Sequence, residues 1–174
     1  MEEALELENR RMIFRHVSRY PGSYFREIQK KVGLATGVLE YHLNYLVKKG
    51  LLSTETERKK KRYFVSQEIP HLDKRTIGLM RQRIPRRITV HTLLNPDCSF
   101  QDLRKEFEVA KSTLSFHLRK LEDAAILVSL KKGRKKFYRV ADPEETARIL
   151  ISYKSSFLDA VLDSFAEVWL EVGK

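Results

Sequence analysis

The feature that most constrains this chain is that a stretch of 55 of its 174 residues is written twice. Shifted by 75 residues, Arg11–Val65 lies on Arg86–Val140 without a gap, and 16 of the 55 pairs are identical. A chain of average composition gives roughly one identity in fifteen by chance. The matches include Ile13/Ile88, His16/His91, Pro21/Pro96, Phe25/Phe100, Ala35/Ala110, Leu39/Leu114, His42/His117, Leu43/Leu118, Leu46/Leu121, Leu52/Leu127, Tyr63/Tyr138 and Val65/Val140. A register kept through turns as well as helices means one small fold used twice. Two copies exclude a solenoid, which needs about three repeats to bury its core.

The second copy shows what that fold is. Leu114, Leu118 and Leu121 recur at spacings of four and three, which puts them on one side of a helix. Ser112, Ser115, Arg119 and Glu122 fall on the other side. Before it, Phe100–Phe107 is a shorter amphipathic run. After it, Ile126–Leu130 is apolar, Lys131-Lys-Gly-Arg-Lys-Lys136 is cationic, and Phe137–Val140 reads as a strand. Helix, turn, helix, then a two-stranded ribbon with a basic tip is the plan of a winged helix-turn-helix.

The first copy follows the same order. Glu2–Tyr20 reads as a helix stopped by Pro21-Gly22. Ser23 is the expected N-cap of a helix running to about Val32. Gly33-Leu34 is the tight turn and Thr36–Lys49 the second helix of the motif. Leu51–Glu57 and Arg62–Val65 are the expected ribbon strands. Residues 66–73, marked by Pro70, read as a linker. Lys74–Ile84 is expected to be helical, with Pro85 opening or kinking the helix that continues to Leu94. Asp142-Pro143-Glu-Glu145 combines an N-cap, a first-turn proline and acids at the positive end of the dipole. The helix it starts is expected to reach Val172. The fold class is mainly α with short β-wings (α+β). It comprises a first domain over 1–68, a second over 69–141, and a long C-terminal helix in 142–174 for packing or dimerisation. That helix shows a Leu158, Val161, Phe165, Val168, Val172 stripe with the spacing of a helix–helix seam. The seam suits packing on its own chain or a homodimer.

Charge narrows the partner. Thirty-four Lys and Arg against 23 Asp and Glu leave a net charge of +11, the electrostatic footprint of a nucleic-acid binder. A single cysteine, Cys98, excludes a disulfide framework within the chain and a multi-cysteine zinc site. It fits a reducing compartment. No run approaches the roughly 18 apolar residues of a membrane span. The expected location is cytoplasmic, on the nucleoid.

Two sets of residues are candidates for DNA contact. Arg58, Lys59, Lys60, Lys61 and Arg62 cluster at one ribbon tip; Lys131, Lys132, Arg134, Lys135 and Lys136 cluster at the other. Such tips neutralise phosphates and can enter the minor groove. In a helix-turn-helix the N-terminal half of the second helix meets base edges. That nominates Lys111, Ser112, Ser115, Phe116 and Arg119, and in the first copy Thr36, Gly37, Glu40, Tyr41 and Asn44. Lys and Arg read guanine O6 and N7, Asn suits adenine, and Glu accepts from cytosine N4. Glu40 also repels phosphate, so the second copy is the better base reader. The first reads differently or faces a protein.

Ser115-Phe-His-Leu118, Leu121 and Ala125-Ile-Leu127, with Tyr41-His-Leu43, Leu46 and Lys49-Gly-Leu-Leu52, resemble the signature of ArsR-like and MarR-like winged-helix regulators. The Tyr-His-Leu form and the doubled domain are most similar to archaeal tandem winged-helix regulators. The resemblance covers about 11–65 and 86–140. The Cys-x-Cys pair of ArsR-type metal sensing is missing from Ser23–Glu27 and from Cys98–Asp102. His16/His91 and His42/His117 lack companion ligands at a standard spacing and read as structural. No Gly-rich phosphate loop, Gly-x-Ser-x-Gly elbow or His-Glu-x-x-His motif occurs, so no enzyme and no cofactor is expected.

The sequence therefore reads as a sequence-specific duplex-DNA regulator, with two recognition helices in the major groove and two wings on the flanking backbone. Two other classes fit less well: a sequence-neutral architectural protein held by its lysine-rich wings, and a tandem winged-helix protein-interaction module.

Overall fold

A computed structural model of the chain describes residues 7–57, 59–66, 69, 71–157 and 161–172. The chain divides into two compact units, Met1–Gly78 and Leu79–Lys174.

In the first unit α1 (Glu8–Arg19) is followed by β1 (Ser23–Tyr24), α2 (Phe25–Val32), α3 (Thr36–Lys48), β2 (Leu52–Glu57) and β3 (Lys60–Val65). The second unit repeats this as α5 (Arg83–Leu94), β4 (Cys98–Ser99), α6 (Phe100–Glu106), α7 (Lys111–Asp123), β5 (Leu127–Lys132) and β6 (Lys135–Val140). Between them lies α4 (His71–Met80). Each ribbon is the larger part of a three-stranded antiparallel sheet, ordered β1-β3-β2 and β4-β6-β5.

The short strands β1 and β4 correct the expected helix starts. Ser23 and Cys98 pair with Tyr63 and Tyr138, so the chain enters its helix one residue later. The first-copy cap is Tyr24, whose backbone N–H donates to the Glu27 carboxylate at 2.7 Å. The Ser23 hydroxyl instead donates to the Tyr20 carbonyl at 2.6 Å. At the equivalent place Ser99 closes a full capping box: its N–H donates to Asp102 at 2.9 Å, and the Asp102 N–H donates to its hydroxyl at 3.2 Å.

The repeated residues are the core. Ile13, Leu39, Leu43, Leu46, Leu52, Tyr63 and Val65 are buried together in the first unit. Their equivalents Ile88, Leu114, Leu118, Leu121, Leu127, Tyr138 and Val140 are buried in the second. Burying one such side chain is worth about 1.5–3 kcal/mol, and it is these positions that the duplication keeps.

Three long-range expectations come out differently. Residues 71–78 are neither linker nor the start of a second-copy helix; they pack on the outer face of the first sheet. There Lys74 donates to Ser53 at 2.8 Å, and the Arg62 guanidinium donates to the Gly78 carbonyl. A side chain at Gly78 would run into that guanidinium. Phe64, on the same face, is fully buried. The helix expected over Lys74–Ile84 stops at Met80, and Pro85 opens α5, which starts at Arg83, the first of its two expected roles, instead of kinking a longer helix. Pro85 then sits in the first turn, where its missing N–H costs no intrahelical bond.

The C-terminal helix is likewise two. α8 (Pro143–Ser152) gives way to a 3₁₀ turn, Lys154–Ser156, and then α9 (Val161–Val172). Ser155 and Ser156 are weak helix formers. The Ser156 carbonyl accepts from Arg81 at 2.9 Å, and the tightened turn carries Phe157 into the interior. Of the expected seam, Phe165 is buried in its own chain beside Trp169, at a ring separation of 5.6 Å, while Val168 is exposed. Leu158 lies outside the described residues.

Candidate nucleic-acid interface

The helices α3 and α7 are held from beneath by their buried leucines, and α3 from one end by its turn. In the first unit Gly33 caps α2 at φ +71°, a left-handed conformation that glycine adopts without penalty. The Gln29 side-chain amide then donates to the Leu34 carbonyl at 3.2 Å and to the Thr36 hydroxyl at 3.0 Å. This brace fixes the first residue of α3. Sequence reading missed it, because Gln29 carries no motif.

On α3, Thr36, Gly37, Glu40, Tyr41 and Asn44 are all exposed. On α7, Lys111, Ser112, Phe116 and Arg119 are exposed and Ser115 is partly so. Each helix thus gathers its nominated residues on one open surface. Tyr41 and Phe116 are unusually open for aromatics, at 61 % and 45 %. Each leans edge-on against the following histidine: the ring centres of Tyr41–His42 and of Phe116–His117 are 5.2 Å apart. That explains the repeated histidine better than metal ligation does. It is a prop for the exposed aromatic, worth about 0.5–1.5 kcal/mol in such geometry. Burial lowers the His42 pKa, and the nearby Arg10 charge lowers it further, so the ring stays neutral. Arg10 stacks on the Tyr45 ring, 3.6 Å from its centre.

The wings divide by residue. Lys59, Lys60 and Lys61 are exposed at the first tip, and Lys131, Lys132, Arg134 and Lys135 at the second. Arg58 lies outside the described residues. Two nominated cations are not presented to a ligand. Arg62 is 2 % exposed, held by Gly78 and by Glu57 at 2.5 Å. Its alternating strand position points it to the sheet's covered face, not to the tip. Lys136 is half-buried and ion-paired with Glu122 at 2.9 Å. Desolvation pulls its pKa down, but the hydrogen bond and charge of Glu122 outweigh that and raise it, so the ammonium stays charged.

Cys98 is buried, and desolvation raises its thiol pKa, the opposite of an activated nucleophile. Among the described residues no group of three His, Cys, Asp or Glu side chains is placed to hold a metal. None of the described helices is long and apolar enough to cross a membrane.

Paired helices with an exposed polar face, followed by a hairpin with a cationic tip, define a winged helix-turn-helix domain, here present twice. Comparison with known proteins agrees copy by copy. Residues 7–77 match the family of an N-terminal HTH domain, and residues 86–136 match the bacterial regulatory protein, arsR family. The chain thus carries two helix-turn-helix domains in tandem, the second similar to the arsR family. A protein of Methanocaldococcus jannaschii named as an uncharacterized HTH-type transcriptional regulator is 23 % identical over 141 residues. That match covers 80 % of this chain and 35 % of the relative.

Proposed function

We propose that the chain recognises particular duplex DNA sequences, with α3 and α7 in major grooves and the wing tips on flanking backbone or minor groove. The observation that carries this is the coincidence, in both copies, of an exposed reading face with an exposed cationic hairpin tip. Within α7, Lys111 and Arg119 supply guanine contacts, Ser112 and Ser115 adaptable hydrogen bonds, and Phe116 an apolar edge for a thymine methyl. Within α3, Asn44 serves adenine and Glu40 cytosine, with Thr36, Gly37 and Tyr41 alongside. Glu40 repels phosphate, so α3 contributes less affinity than α7. Residues 142–174 serve packing and dimerisation, and α9 offers exposed apolar surface for the latter.

Selection from a random duplex library at near-physiological salt tests the reading. Enrichment of a motif with two unequal halves is the expected result, with Arg119→Ala relaxing one half by about 1–3 kcal/mol of base discrimination. Retained DNA without a motif would mean a sequence-neutral binder held by its wings. No retention would favour a protein-interaction module, the role that Glu40 and Tyr41 suit.

A further inference from the structure

The two sheets are equivalent in register but not in covering. In the first, the face bearing Ser53, Arg62 and Phe64 is closed by α4. In the second, the matching face bears Val128, Leu130, Phe137 and Arg139, since Leu130 pairs with Phe137 and Val128 with Arg139. Paired residues in an antiparallel ribbon share a face. Among the described residues no element closes it. Val128 is 45 % and Leu130 50 % exposed. The duplication has exchanged Ser53 for Val128 and Glu55 for Leu130. At these two positions the covered sheet thus carries polar residues and the open one apolar residues, the reverse of what water would favour.

We infer that this open face of β5–β6 is a helix seat, and that its occupant is α9 of a second copy of the chain. Three observations choose that occupant. The first sheet shows that a helix fits the face. The sequence of α9 carries Asp163, Glu167 and Glu171 and neither Lys nor Arg, while the seat is rimmed by the exposed Lys132 and Lys135. On α9, Leu170 is 60 % exposed and Glu167, one turn earlier, is exposed too, which sets an apolar anchor beside an acid as the seat requires. Exchange of α9 between two copies closes as a symmetric dimer, each chain giving one helix and one seat. The seat lies on the sheet face, so Gly133-Arg134 at the wing tip stays free. The inference rests on the dimerisation role proposed above for residues 142–174, and not on which DNA sequence the chain prefers.

The test uses the full chain in solution by sedimentation equilibrium. A concentration-dependent mass approaching twice that of one chain is expected. Val128→Ser with Leu130→Glu installs the first copy's own residues at exposed positions, and Leu170→Glu alters the occupant. Each should weaken the dimer at least about tenfold with circular dichroism and melting temperature unchanged. Geometry is read by mixing a Leu130→Cys chain with a Leu170→Cys chain under mild oxidation, where the crossed disulfide should dominate. A monomer at high micromolar concentration would overturn the inference. So would a dimer indifferent to both sets of changes, or a dominant disulfide between two Leu170→Cys chains, which would mean a helix–helix seam instead. DNA affinity of the Leu130→Glu variant separates the two proposals: loss of the dimer with monomer binding retained leaves the DNA reading standing.

Discussion

At the scale of single residues, the two copies act as each other's controls. Gly50 and Ala125 hold the same place after the reading helix, and both are left-handed, at φ +70° and +56°. Glycine adopts that conformation freely, whereas for a residue with a Cβ it costs about 1–2 kcal/mol. Ala125→Gly should therefore stabilise the second unit, by about 0.5–1 kcal/mol once the greater flexibility of the unfolded chain is subtracted. Urea unfolding measures it, and a loss of stability would refute the strain. The Ser99–Asp102 box gives a prediction in pH. The side-chain and backbone hydrogen bonds from Ser99 hold the Asp102 carboxyl below its ordinary value. A lowered folded pKa contributes stability that is present above the unfolded value and is lost as pH falls through the folded one. Asp102→Asn should therefore lower the melting temperature at neutral and alkaline pH while leaving the acid extreme nearly unchanged, so that the fall on the acid side is flatter. An unaltered acid limb would mean that the box contributes no linkage.

Elements differ more than residues do, and here the sequence was only partly legible. The helix-turn-helix and the ribbon could be read because leucines at spacings of three and four, and a basic tip, are local signals. The exposed polar faces of α3 and α7 were legible for the same reason, since their residues alternate with buried leucines on one helix. β1 and β4 were not: two residues in a strand leave no period, and their partners lie 38 to 40 positions away. The seat of α4 was hidden too, since it depends on which face of a distant sheet needs covering. Arg62 shows the consequence. By composition it belongs to the cationic tip; by strand alternation it belongs inside. The same contrast predicts energetics. Phe64→Ala opens a cavity beneath α4 and should cost about 3–5 kcal/mol. Arg139→Ala, at the matching position on the open sheet, removes an exposed ion pair with Asp97 and should cost no more than about 1 kcal/mol. Equal losses from chemical denaturation of the two variants would contradict the difference in covering.

For the whole molecule, the question the duplication raises is whether both units grip one DNA molecule. Counterion release answers it, because it counts phosphates without regard to sequence. Each neutralised phosphate contributes about 0.9 to the slope of log affinity against log salt. Exchanging Lys59, Lys60 and Lys61 for alanine removes up to three such contacts, or about 2.7 of slope. Exchanging Lys131, Lys132, Arg134 and Lys135 removes up to four, or about 3.6. Lys136 and Arg62 are left in place, since Glu122 and the Gly78 carbonyl already hold them. If both wings lie on the same duplex, the losses add in the combined variant. If only the second unit binds, the first set leaves the slope unchanged while the second set takes nearly all of it. Titration of a fluorescent duplex at several salt concentrations distinguishes these outcomes. We expect additivity, because both tips are open and cationic, and because one chain carrying two such helices gains affinity only when both engage the same molecule.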